Sequence, residues 1–168
     1  GYHAAKLLEE EDEAKIIAIG ERDGALINDD GLSVEAVRQH INEHKTIKGF
    51  SNATFTENGL SALELQCDIL IPAALEAQIT GENAGNIRTK LIVEAANGPV
   101  TFEADEILRK KKINILPDAY VNAGGVTVSY FEWIRNLSHI RFGRMERRFD
   151  ELRGQHLITA MESLSDQT

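Results

Sequence analysis

The amino-acid sequence predicts an α/β fold built on a doubly wound parallel sheet, and three observations carry that expectation. Four short apolar runs have strand length, over residues 15–20, 67–72, 90–96 and 113–116. They are nearly all apolar rather than alternating, as expected of strands covered by helices on both faces. Segments with helical spacing separate them, which is the order of βαβ units. Finally, Glu21, Ala74, Asn97 and Asn122 all follow the C-terminal ends of these runs. Open α/β sheets bind ligands along that edge.

The chain opens at Gly1 and passes straight into a helical pattern over residues 4–13, with Ala5, Leu7 and Leu8 inward and an acidic outer side. A helix leading into a strand of a parallel sheet implies a strand before it. The chain therefore reads as a fragment whose sheet lacks its first strand. The run 15–20 stops at Glu21-Arg22-Asp23-Gly24. Glu21 lies about 20 residues after Gly1, the interval that dinucleotide folds use between their glycine turn and the acid on the adenosine ribose.

Asn28-Asp29-Asp30-Gly31 reads as a turn, after which Ser33 caps a helix through about Lys45 with Val34, Val37 and Ile41 as its apolar stripe. Residues 49–59 are polar and loop-like. Pro72 ends the second run and opens Ala73-Ala74-Leu75-Glu76, and the third run closes at the turn Asn97-Gly98-Pro99. Thr101 caps a helix over 102–111 that ends in Arg109, Lys110, Lys111 and Lys112, favourable for its dipole. The lysines read as a solvated helix end.

The fourth run leads into Pro117-Asp118-Ala119-Tyr120-Val121-Asn122-Ala123-Gly124-Gly125-Val126-Thr127-Val128-Ser129-Tyr130-Phe131-Glu132-Trp133. A loop with Asn122, Gly124 and Gly125 is expected here, before a helix over 126–137 that is apolar at Val128, Phe131, Ile134 and Leu137. Such a loop lets backbone approach a ligand and aims free N–H groups at it. A nucleotide and an anionic substrate are expected to meet at this stretch. Glu132 and Trp133 are read as fixing the helix in the sheet.

Beyond His139 the pattern changes. Phe142, Met145, Phe149 and Leu152 keep helical spacing among Arg141, Arg144, Arg147, Arg148 and Arg153, and after Gly154 come Leu157, Ile158, Met161 and Leu164. Residues 1–139 are thus read as a dinucleotide-binding domain truncated at its N-terminus, and 140–168 as the start of a helical extension. The apolar seam either packs back on the domain or meets other subunits. A membrane-surface role is disfavoured by Glu146, Asp150 and Glu151.

At 168 residues the chain has the size of one domain or of one domain with an appendage, and 42% hydrophobic with 27% charged content suits a globular protein. The formal charge of −9 argues against general nucleic-acid binding. An anionic ligand must then be held by local backbone amides and a few placed side chains. Cys67 is the only cysteine, so no internal disulfide can form, and it reads as a packed core residue. No apolar run is long enough to span a bilayer. His40 and His44 are helically spaced, but no third ligand follows, and no metal site is expected.

Three segments carry a resemblance to a known family. Cys67-Asp68-Ile69-Leu70-Ile71-Pro72-Ala73-Ala74, Glu94-Ala95-Ala96-Asn97-Gly98-Pro99 and the 117–133 stretch resemble the cofactor domain of glutamate dehydrogenases. The resemblance covers essentially the whole chain. It implies a reversible oxidative deamination of glutamate to 2-oxoglutarate and ammonia, with hydride passing to NAD or NADP. It further implies that Gly1 is the third glycine of a Gly-x-Gly-x-x-Gly turn and that Glu21 contacts the adenosine ribose. By the same carry-over, Ala74 and Asn97 line the ribose and nicotinamide, Asn122 holds the nicotinamide carboxamide, and Ser129 meets the carboxylate of glutamate. The segment after His139 resembles the start of the antenna of the hexameric animal-type enzymes, implying a homo-hexamer and a mitochondrial location. The family's catalytic lysine and aspartate belong to a domain absent here, so no catalytic residue is assigned and the isolated chain is expected to be inactive.

The sequence also departs from the animal-type pattern. Ala95 stands where glycine is usual, beside the cofactor. Arg22 replaces a small residue next to Glu21 and can pair with a 2′-phosphate, which leaves NAD and NADP both open. Lys6 keeps one of the basic positions used for inhibitory GTP, but Glu10 and Glu35 fall where bases belong, so GTP inhibition is expected to be weak or absent. Leucine and phenylalanine dehydrogenases share the fold and match the C-terminal segment poorly. The alternative functions are a non-catalytic interaction or oligomerisation fragment in which residues 142–164 matter, and the cofactor domain of a related leucine or phenylalanine dehydrogenase.

Overall fold

The computed structural model describes residues 1–137, so the expected extension over 140–168 and its apolar seam lie outside the described residues. Two compact units divide the chain, Gly1–Gly124 and Gly125–Thr168. The first has an α/β architecture with a three-stranded antiparallel sheet and a three-stranded parallel sheet.

The chain begins with helix α1 (Tyr2–Glu10), shorter than the pattern suggested, and Leu7 is 50% exposed rather than inward. The reason is that polar contacts attach α1 to helix α2 (Val34–His44). The Glu9 carboxylate accepts the Val34 N–H at 3.1 Å, and the Tyr2 hydroxyl and Lys6 ammonium donate to Glu35 at 2.7 and 3.0 Å. Ser33 caps α2 as expected by accepting the Ala36 N–H, and Val34 and Val37 are buried.

The first apolar run does not join the parallel sheet. Strand β1 (Ala18–Glu21) pairs antiparallel with β2 (Gly24–Ile27), in register from Ala18 opposite Ile27 to Glu21 opposite Gly24. Arg22 and Asp23 form the tip. This corrects the expected four-stranded parallel arrangement. The nearest apolar partner is Ala25-Leu26-Ile27, and closing so short a loop costs far less entropy than a crossover. Gly24 permits the turn, with φ +146° and a backbone position where a Cβ would stand 2.3 Å from the Thr56 carbonyl. That carbonyl belongs to β3 (Thr54–Thr56), which completes the sheet inside the stretch read as a loop. Leu26, Leu32, Val37 and Ile47 form the core beneath it.

In the parallel sheet, β4 (Ile69–Leu70), β5 (Leu91–Val93) and β6 (Asn114–Leu116) stand in that order, with Leu70 opposite Ile92 and Ile92 opposite Ile115. Each is shorter than its apolar run. Helix α3 (Phe102–Lys110), capped by Thr101, connects β5 to β6 and buries Ala104 and Leu108. These join Leu70, Ile79, Ala84, Ile87, Ile92 and Ile113 in a second core, with Cys67 packed against it as the sequence suggested. Lys111 is not simply a solvated end. Its ammonium donates to the Gly85 and Ile87 carbonyls at 2.6 Å, tying α3 to the connection between β4 and β5.

After β6 come the short helix α4 (Asp118–Val121) and helix α5 (Ala123–Leu137). Gly124 and Gly125 therefore lie in the first turn of α5 rather than in an open loop. Their φ values are not positive, so nothing interrupts the helical path there.

Candidate functional site

Because β4, β5 and β6 run parallel, the segments leaving them begin at one edge of the sheet. Pro72-Ala73-Ala74 follows β4, Glu94 to Pro99 follow β5, and Pro117 opens the path into α4. Backbone bonds join these segments at their bases. The Ala95 N–H donates to the Pro72 carbonyl at 3.1 Å, and the Glu94 N–H to the Leu116 carbonyl at 3.0 Å.

Side chains then link the second and third segments. The Asp118 N–H donates to the Glu94 carboxylate at 2.8 Å, and the Gly98 N–H donates to the Asp118 carboxylate at 2.8 Å. The other Asp118 oxygen accepts the Ala119 N–H at 2.6 Å. Glu94 is 7% exposed, although it continues an apolar strand. Further along, the Asn122 amide donates to the Asn97 side-chain carbonyl. Two amides assigned separately in the sequence thus touch, from the loops after adjacent strands.

Gly1 also lies at this edge: a Cβ built on it would come 4.0 Å from the Ala73 Cβ. The N-terminus of α1 is therefore next to the loop carrying Ala74. Glu21 and Arg22 belong to the other sheet, at the tip of the antiparallel hairpin. That tip is anchored by Asp23, which accepts from the Thr46 hydroxyl and from the Ile47 N–H at 3.3 Å. The Thr46 bond holds the Asp23 carboxyl below its ordinary pKa. Ser129 is not at a helix start. It sits in the second turn of α5, where its hydroxyl donates to the Gly125 carbonyl at 3.0 Å.

Other expected features also find their positions. His40 and His44 stack with ring centroids 4.2 Å apart, and no cluster of three metal-ligating side chains occurs among the described residues. Among those residues no helix is long and apolar enough to cross a membrane. Lys6 bonds to Glu35, which raises the pKa of its ammonium and commits that charge to a neighbouring helix. An open groove of about 760 Å³ lies at the start of α2, lined by Asn28, Asp29, Asp30 and Ser51 among others. It is remote in sequence from the sheet edge and carries acids, so it does not suit an anionic ligand.

Sequence reasoning passed over Glu94 and Asp118. A signal was present for Glu94, since an acid directly continuing the run Leu91-Ile92-Val93 needs a buried partner. The signal for Asp118 was absent, because an acid beside a helix start is ordinary.

With the site described, the likeness to known proteins becomes informative. The chain matches the Glutamate/Leucine/Phenylalanine/Valine dehydrogenase family over residues 1–166. It belongs to this family. A probable glutamate dehydrogenase of Sinorhizobium fredii is 55% identical over 166 residues, which are 98% of this chain and 37% of that protein. The mitochondrial glutamate dehydrogenase of Dictyostelium discoideum is 50% identical over 97% of this chain and 32% of that protein. The chain thus spans about a third of the length of the curated relatives it matches. Among solved structures, a glutamate dehydrogenase from Peptoniphilus asaccharolyticus is 36% identical with a TM-score of 0.60, over 80% of this chain and 30% of that one. The fold is also that of the hetero-hexameric glutamate dehydrogenase from Thermus thermophilus, at 24% identity and a TM-score of 0.73 over 88% of this chain and 34% of that one.

Proposed function

We propose that this chain is the cofactor-binding part of a longer oxidoreductase that reversibly deaminates glutamate to 2-oxoglutarate and ammonia with NAD or NADP. The observation that carries the reading is the contact between the Asn97 and Asn122 amides at the carboxyl edge of a parallel sheet. The donor set fits a nicotinamide, since side-chain amides can both donate to and accept from a carboxamide. A bound nicotinamide supplies the hydride acceptor, and the protein supplies orientation.

In this reading Asn122 holds the carboxamide, while Ala74, Ala95 and Asn97 line the nicotinamide and its ribose. Gly1, at the start of α1 beside Ala73, brings helix N–H groups toward the pyrophosphate. Glu21 binds the adenosine ribose, and Arg22 beside it sets the preference between NAD and NADP. That role requires the hairpin tip and the sheet edge to serve one extended ligand, as in a doubly wound dinucleotide fold. Ser129 receives the substrate carboxylate. Its hydroxyl must then turn its proton from the Gly125 carbonyl to the ligand. The proton-transfer groups lie outside this chain, and the full-length enzyme is a mitochondrial homo-hexamer.

Two curated relatives favour glutamate over leucine, phenylalanine or valine, because one is named a probable glutamate dehydrogenase, at 55% identity, and the other a mitochondrial glutamate dehydrogenase, at 50%. The test is carried out on the full-length protein. Titration with NADH and NADPH should show binding of at least one, and Asn122→Ala should weaken it about tenfold, the loss of one well-made polar contact. Glutamate should be oxidised faster than leucine or phenylalanine. A full-length protein that binds neither nucleotide would sink the proposal.

A further inference from the structure

We infer that Glu94 and Asp118 form a reciprocal clamp that fixes the spacing of the loops carrying Asn97 and Asn122, and so act as positioning residues for the cofactor. The inference rests on the proposed cofactor site.

Each acid sits on one loop and accepts an N–H from the other. Glu94, at the end of β5, takes the Asp118 N–H at 2.8 Å, while Asp118, at the start of α4, takes the Gly98 N–H at 2.8 Å. The two bonds run in opposite directions across the same gap, so the loops cannot separate without breaking both. Gly98 directly follows Asn97, which ties the second bond to the backbone that aims that amide. Asn122 is fixed from the same anchor, because its N–H donates to the Asp118 carbonyl at 2.8 Å and closes α4. Moving Asp118 therefore moves both amides that meet beyond it.

Burial sharpens the point. Glu94 is the one buried charged residue among the described residues. A carboxylate in such a position costs free energy unless hydrogen bonds compensate it. An apolar residue would suit the adjoining β5 core better, so stability of the sheet alone does not account for Glu94. The Asp118 carboxylate spends one oxygen on the Gly98 N–H and the other on the Ala119 N–H, which fixes its orientation. Asn97 is exposed and Asn122 only half-buried, so neither amide is enclosed in a core. Their geometry depends on the two acids behind them.

Four variants of the full-length protein test the clamp, with NADH or NADPH affinity measured by fluorescence and backbone exchange measured on the peptides holding Gly98 and Asp118. Glu94→Gln and Asp118→Asn keep a carbonyl acceptor, whereas Glu94→Ala and Asp118→Ala remove it. The alanine variants should raise the dissociation constant about tenfold and speed exchange at the partner amide. The Gln and Asn variants should stay within about threefold of the unsubstituted protein. Combining both alanines should add less than the product of the single effects, because either break frees the same pair of loops.

Loss of binding in Glu94→Gln as large as in Glu94→Ala would overturn the clamp and assign a role to the charge itself. Unchanged affinity in both alanine variants would overturn it too. Should an alanine variant fail to fold, weak binding by Glu94→Gln or Asp118→Asn at normal exchange rates is the overturning result. An unsubstituted protein that binds neither nucleotide defeats the cofactor reading itself, whatever the exchange rates.

Discussion

The two sheets of the first unit close in opposite ways. The antiparallel sheet closes locally: β1 turns back through Arg22 and Asp23, and the tip is fastened by Asp23 to Thr46 and Ile47. Its strand ends fall alternately on both edges. The parallel sheet needs a long connection between each pair of strands, and in return every strand ends on the same edge. Residues as distant as Glu94 and Asp118, or Asn97 and Asn122, are thereby brought within hydrogen-bond reach. Parallel pairing gathers a site, whereas antiparallel pairing builds a firm support.

The largest effect tests whether the two regions are independent. Leu26 belongs to one core and Ile92 to the other, both 0% exposed, and the clusters share no residue. Leu26→Ala and Ile92→Ala should each cost about 2–5 kcal/mol in urea unfolding of the chain. The double variant should equal their sum within about 0.5 kcal/mol. A larger coupling would mean that the sheets form one cooperative core.

A smaller loss is expected at the hairpin. Gly24→Ala should destabilise by roughly 3 kcal/mol, since the new methyl meets the Thr56 carbonyl and the Phe55 ring in a backbone conformation that disfavours a side chain. Because Glu21 pairs with Gly24 at this tip, nucleotide affinity should weaken as well under conditions where the variant is folded. A variant as stable as the parent would remove the steric basis of the turn.

The smallest effect concerns acid. The Asp23 carboxyl is held below its ordinary pKa, first by the Thr46 hydroxyl. Its contribution is therefore present above the pKa of the unfolded chain and is lost as pH falls through the lower folded value. Asp68 is lowered as well, by its exposed pair with Lys90 at 2.7 Å beside β4. Salt screens such an exposed ion pair. In high salt, Asp23→Asn should flatten the acid side of the melting-temperature profile more than Asp68→Asn. Equal flattening would deny the hairpin anchor its special part.

Much of this was legible in the residues. Ser33 and Thr101 mark helix starts because a hydroxyl must satisfy a free N–H there, and both do so. The runs around Ile69, Ile92 and Ile115 do hold parallel strands, but Ile69 is 50% and Leu116 40% exposed, so the expected cover on both faces is not seen there. Asn97 and Asn122 were singled out separately and are found together. The pairing of Ala18–Glu21 was misread, because an apolar run states that it is buried and not which strand lies beside it. The stretch around Thr54–Thr56 was missed since Thr-Phe-Thr is too short to show a period. Gly124 and Gly125 suggested a loop, yet glycine is permitted in a helix and only its neighbours decide.

By itself, then, the sequence determined the α/β class, the helix caps, the apolar segments and the amides that follow them, because these rest on local chemistry and spacing. Only the tertiary structure decided which strands pair, that Leu7 stays outside, and that Glu94 and Asp118 reach across to each other's loop. Those facts depend on separations of about two dozen residues closing in space, where no local pattern fixes the partner.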